Sequence, residues 1–172
     1  KYNDTKRITN TPEQERSVSF SPDGRSLVYA GERNGSWNLY ISKIVRPEDK
    51  YFSLATEVKE EVLLANDRQT FQPVFSPDGK EVAFLEDRTK LKVINLATKA
   101  VREITDGSKN YSYSDGDMNF QWSPDSKWFV LQFNDKHRWP NSDIGLVSAA
   151  GGAPITNLTL SGYSDTNPRF MM

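Results

Sequence analysis

The one histidine of the chain, His137, stands in "NDKHRWPNSD" and is the side chain best suited by its ordinary pKa to act as a general base near neutral pH. A base needs a nucleophile and an orienting partner, and the chain contains no G-x-S-x-G, H-E-x-x-H, G-x-x-x-x-G-K-[ST] or G-x-G-x-x-G pattern. His137 therefore reads as a solvated loop residue. Asp106, Asp115 and Asp117 offer hard oxygen ligands, but their spacing lacks the full calcium-loop pattern, and ordinary turn chemistry accounts for them. Cysteine is absent, which removes disulfides, thiolate metal sites and thiol nucleophiles. No catalytic residue, metal or cofactor is expected in this segment.

Recognition is the chemistry that the remaining side chains suit. Tyr111, Tyr113, Asp115 and Asp117 cluster in one stretch, His137, Arg138 and Trp139 in a second, and Arg33, Asn34 and Trp37 in a third. Tyrosine and tryptophan give large contact area at small entropic cost, and arginine can grip a carboxylate with two parallel hydrogen bonds. A peptide or protein is the partner this fits. The competing reading is that Trp37 and Trp139 simply cap the ends of the sheets that carry them. With 22 Lys+Arg against 23 Asp+Glu, the net charge of −1 gives no electrostatic reason for a nucleic-acid partner. The apolar runs are too short to cross a bilayer as helices, so no membrane insertion is expected.

These clusters need elements to position them, and a repeat supplies the elements. "FSPDG" occurs at Phe20–Gly24 and again at Phe75–Gly79, with "WSPDS" at Trp122–Ser126. The spacings are 55 and 47 residues, then 48 to Phe170 if "NPRF" is a fourth copy. A period of this size marks a repeat architecture. Each copy lies between alternating apolar and polar stretches, "SVSF" then "SLVYA", "PVF" then "EVAFL", "NFQW" then "WFVLQF", and two further strand-like stretches follow each. The fold class is all-β: a partial β-propeller of about three four-stranded antiparallel blades, plus single strands of the flanking blades. The repeats centre on 16–66, 71–105 and 118–159 within one fragment spanning 1–172, with flanking strands at 6–9 and 165–170. Three blades cannot close a ring, so two sheet faces are expected to stand open and the chain reads as a piece of something longer. The stretch Asp49–Leu64 comes nearest to a helical stripe and is read as the insertion that lengthens the first spacing.

Within Ser-Pro-Asp-Gly the serine caps a type I turn, proline presets φ at the second position, aspartate favours the third and glycine accepts positive φ at the end. That sequence of conformations makes a bulged hairpin, with the preceding aromatic closing the first strand and packing between neighbouring sheets. The motif is structural. Ser126, in the glycine's place, carries a cost of roughly 1 kcal/mol if its φ is positive.

"FSPDGRSLVYAGERNGSWNLYI" and "FSPDGKEVAF" resemble the propeller repeats of TolB, of the tricorn-protease propellers and of related peptidases. The resemblance covers nearly the whole chain. "FQWSPDSKWFVLQFNDKHRWPNSDIGLVSAAGGAPITNLT" is similar, more narrowly, to the propeller of bacterial tricorn-like serine peptidases, whose catalytic module lies further along the chain. It departs from that pattern at Ser126 and at the terminal "FMM". The resemblance implies a non-catalytic propeller segment of a larger peptidase that guides or screens peptides or binds a protein partner. The alternative it implies is a TolB-like binding scaffold without enzymatic activity. Either implies the remaining blades as partners, the first adds a catalytic domain of the parent chain, and both imply a periplasmic or otherwise exported protein.

Overall fold

The computed structural model describes residues 7–9, 11–109, 118–134, 142–160 and 162–171. Its regular elements are twelve strands in three sheets. β1 (Glu15–Phe20), β2 (Ser26–Arg33), β3 (Ser36–Ile44) and β4 (Val58–Leu64) make the first. β5 (Thr70–Phe75), β6 (Glu81–Glu86), β7 (Lys90–Asn95) and β8 (Val101–Glu103) make the second. The third holds β9 (Phe120–Trp122), β10 (Trp128–Phe133), β11 (Asp143–Ser148) and β12 (Thr156–Asn157). Every pairing is antiparallel between sequence neighbours, so each sheet is a four-stranded meander. No helix occurs among the described residues. Asp49–Leu64, read from the sequence as an insertion, gives a loop followed by β4.

Side chains alternate across each strand, and the middle sheet shows what both of its faces touch. Val82 and Phe84 pack with Val28, Ala30, Leu39 and Ile41 of the first sheet. Ala83 and Leu85 pack on the other side with Phe120, Trp122, Phe129 and Leu131 of the third. "EVAFL" is almost continuously apolar because neither face meets water.

The three Ser-Pro-Asp turns share one hydrogen-bond scheme. In the first, the Gly24 N–H donates to the Ser21 carbonyl (2.9 Å), the Ser21 hydroxyl donates to Asp23 Oδ1 (2.5 Å), and Asp23 Oδ1 accepts the Arg25 N–H (3.0 Å). Ser76, Asp78 and Lys80 repeat these contacts, as do Ser123, Asp125 and Lys127. The serine hydroxyls, as the largest cause, hold the carboxyls of Asp23, Asp78 and Asp125 below the ordinary aspartate range. φ is +70° at Gly24, +72° at Gly79 and +61° at Ser126, so the end of the turn is left-handed in all three. Gly79→Val is expected to lower stability by more than about 1 kcal/mol, because a β-branched residue is strained at that φ. Its denaturation midpoint checks this, and an unchanged midpoint would count against the bulged hairpin. On backbone strain alone, Ser126→Gly would be neutral or stabilising. The Ser126 hydroxyl, however, accepts the N–H of Asp78 in the neighbouring turn (3.1 Å), so relief of backbone strain is offset by loss of a bond between sheets and neutrality is the outcome to expect.

Phe75 and Trp122 are buried between sheets, as the repeat demands, whereas Phe20 is 51% exposed. Its side of the first sheet faces no other sheet. Residues 7–9 and 165–170, read from the sequence as flanking strands, belong to no ladder, since a strand needs a partner to be one; Lys6 lies outside the described residues. The C-terminal segment still repeats two local features of the inner strands. Asn167 has φ +53° three residues before Phe170, as Ser17 (+58°) has before Phe20 and Gln72 (+50°) before Phe75. The Phe170 N–H donates to Gln121 Oε1 (2.9 Å), matching the Phe75 N–H bond to Ser19 Oγ (3.2 Å) between the first two sheets.

Candidate functional site

An up-and-down meander sends its connections to two ends. The Ser-Pro-Asp turns gather at one, and the β2–β3, β4–β5, β6–β7 and β8–β9 connections emerge at the other. Of the residues that the sequence marks for recognition, Arg33, Asn34 and Trp37 stand at the β2–β3 connection of this second, loop end. Tyr111, Tyr113, Asp115, Asp117, His137, Arg138 and Trp139 lie outside the described residues.

Arg33 and Trp37 are described: Arg33 is tied within the first sheet, and Trp37 into the seam with the second. Arg33 Nη2 reaches Glu15 Oε1 at 3.1 Å, and its guanidinium lies 4.7 Å from the centre of the Tyr40 ring. Gly31 permits this stack, because a Cβ there would meet Arg33 Nη1 at 3.0 Å and Tyr40 at 3.1 Å. Burial raises the Glu15 carboxyl pKa, but hydrogen bonds from Thr11 and Thr9 and the charge of Arg33 outweigh it and leave the group below its ordinary value. Trp37 packs on Phe71 of the second sheet with ring centres 5.5 Å apart. Its backbone N–H donates to Gln69 Oε1 (3.0 Å), and its carbonyl accepts the Thr70 hydroxyl (3.0 Å). Trp37 thus closes the loop end of the first seam.

Around that tryptophan stand residues which the sequence did not single out. The Arg16 guanidinium lies 4.3 Å from the Trp37 ring centre, and Arg88 lies 4.8 Å from that of Phe71. Stacking of this kind holds a long cation in place over an aromatic face. Among the described residues Arg16 makes no ion pair. A signal was present in the repeat: Arg16 and Phe71 each stand four residues before the repeat aromatic, at the loop end of an inner strand.

A second feature is a cleft of about 410 Å³ between the second and third sheets, lined by Thr89, Thr105, Lys109, Met118, Phe133 and Ile155 among others. Asp106 borders it, and its carboxylate accepts both the N–H (2.9 Å) and the hydroxyl (2.6 Å) of Ser108. That is the turn role read from the sequence. Among the described residues no three His, Cys, Asp or Glu side chains converge as a metal site.

No family model matches the chain. It is 30% identical over 109 residues to Tol-Pal system protein TolB of Francisella tularensis subsp. holarctica (strain OSU18), covering 60% of this chain and 22% of that protein. The chain therefore spans about a fifth of the length of the curated relatives it matches. Among solved structures, TolB from Acinetobacter baumannii aligns with a TM-score of 0.53 at 20% identity, over 83% of this chain and 32% of that one. The tricorn protease aligns with a TM-score of 0.64 at 19% identity, over 93% of this chain and 14% of that one. In sequence the chain is TolB-like across the matched stretch, and its fold is that of a β-propeller fragment.

Proposed function

We propose that this chain is a non-catalytic propeller segment of a larger protein and that it binds a peptide or protein partner through its loop end. The observation that carries the reading is the cluster of Arg16, Trp37, Phe71 and Arg88. It sets guanidinium groups on aromatic faces at the end where the β2–β3, β4–β5 and β6–β7 connections emerge. Aromatic and arginine side chains dominate the energetics of protein recognition, and a guanidinium held by stacking loses less freedom when a carboxylate arrives. Similarity to a Tol-Pal system protein supports a protein partner. The parent has two readings. Alignment over 93% of the chain with the tricorn protease supports a tricorn-like serine peptidase, in which the propeller guides or screens substrates. The sequence match supports a TolB-like scaffold that only binds.

The test is titration of the parent protein with its partner or with acidic peptides. Trp139→Ala and Arg138→Ala are each expected to weaken binding by roughly 1 to 3 kcal/mol. Arg16→Ala should act in the same direction, while Asp23→Ala and Lys99→Ala at the turn end should leave affinity nearly unchanged. Binding that survived loss of Trp139 and Arg138 but failed on changes around Lys99 would place the site at the wrong end.

A further inference from the structure

The flank of the first sheet that faces away from the second is covered, although no sheet lies against it. Repeat positions make the comparison direct. The residues seven and nine positions after the repeat aromatic are Val82 and Phe84 in the second sheet and Phe129 and Leu131 in the third. The preceding sheet buries all four. Their counterparts in the first sheet, Leu27 and Tyr29, are just 2% and 3% exposed. The chain's own β3–β4 connection contributes to that cover: Leu27, Tyr29, Tyr40 and Ile44 form one cluster with its Phe52 and Ala55, and Tyr29 also stacks on Tyr40. Phe52 also meets Phe20 edge-on, with ring centres 5.7 Å apart.

The connection is built to stay there. Arg25, the residue after the first Ser-Pro-Asp-Gly turn, donates to the carbonyls of Asp49 (2.6 Å), Arg46 (2.9 Å) and Pro47 (3.4 Å). Asp49 Oδ2 accepts the N–H and hydroxyl of Thr56 (3.0 and 3.1 Å), and the Val45 N–H donates to the Glu57 carbonyl (3.2 Å), closing the loop's neck. Coverage is nevertheless partial. Val18 and Val62 remain 61% and 58% exposed on the same flank, beyond the reach of Phe52.

We infer that this flank is an interaction surface for another sheet of the same repeat, and that loop 46–57 is an intramolecular stand-in which must leave before such a sheet can dock. The occupant is fixed by continuity with the two interfaces already present, in which the same repeat positions receive a four-stranded sheet. Leu27 and Tyr29 cannot be covered by Phe52 and by an incoming sheet at once. Docking on the first sheet is therefore competitive with loop closure.

Two variants of this chain test the inference by light scattering across a concentration series. In one, residues 47–56 are replaced by a short glycine-containing turn, and self-association at least tenfold stronger than that of the unaltered chain is expected. Adding Val18→Lys and Val62→Lys to this variant should abolish the gain. In the other, Phe20→Cys and Phe52→Cys are joined by a short thiol crosslinker, unambiguous in a chain without cysteine, and association should not exceed that of the unaltered chain. If the shortened variant does not fold, Arg25→Ala decides the matter. It should speed amide exchange at least tenfold in 27–30 and 49–57 while leaving 82–85 unchanged. Association no stronger after shortening, association indifferent to the two lysines, or unaltered exchange in Arg25→Ala would each overturn the inference.

Discussion

Phe129→Ala is expected to destabilise the chain by about 3 to 5 kcal/mol, read as a shift in the denaturant midpoint at unchanged slope. The ring is fully buried at the interface of the second and third sheets. It lies edge-on to Phe120 at 5.9 Å and 4.1 Å from the centre of Trp122. Its strand, β10, is laddered on both sides, with Phe129 opposite Trp122 on one and Val147 on the other. Backbone held in this way cannot collapse into the vacancy, so the lost transfer energy and the cavity add together. The matched control is Phe20→Ala, which removes the same side chain from a flank where half of it already meets water. A loss near 1 kcal/mol is expected there. Equal losses at the two positions would mean that the sheet interface is not what makes the large aromatic costly to remove.

How far the sequence discloses this architecture depends on the range of the interactions involved. The turns are legible because their chemistry is local: Ser21, Asp23 and Gly24 satisfy one another within a few residues, and Ser76, Asp78 and Gly79 do so again. The strands are legible because alternation survives whatever they pack against. Asp49–Leu64 is legible as an insertion but not in what it packs against, although Phe52, Ala55 and Val58 stand three apart. Phe52 and Ala55 meet the flank of the first sheet beside Val58 of β4, a surface that no local pattern announces. Arg33 and Trp37 were legible as loop-end residues, but their partners, Glu15 of β1 and Gln69, Thr70 and Phe71 at the start of β5, are distant in sequence, and those partners decide which side chains are tied down. Arg16 escaped notice for the same reason. A cation beside alternating serines reads as solvated surface until the tryptophan on a third strand is placed beneath it.

Lys92→Met is expected to cost about 3 kcal/mol, and the double variant Lys92→Met/Glu86→Leu to recover most of that loss. Lys92 Nζ lies 2.6 Å from Glu86 Oε1, and the two side chains are 18% and 9% exposed. Lys92 stands opposite Phe84 in the β6–β7 ladder, and Glu86 follows Phe84 by two residues, so both charges share the face that meets the first sheet. Removing the lysine leaves a carboxylate in a space that water cannot fill freely, and the unpaired charge costs more than the ion pair contributes. Removing both charges returns the site to the apolar chemistry of the rest of that face, where a leucine side chain and a methionine side chain can occupy similar volume. The exposed pair Lys59–Glu61, at 69% and 37%, supplies the contrast: Lys59→Met should change stability by under about 0.5 kcal/mol. A double variant as unstable as Lys92→Met alone would show that the lysine contributes through its packed methylene chain and not through the charge it balances. The interface between the first two sheets would then depend on shape at this position, as it does at Phe84.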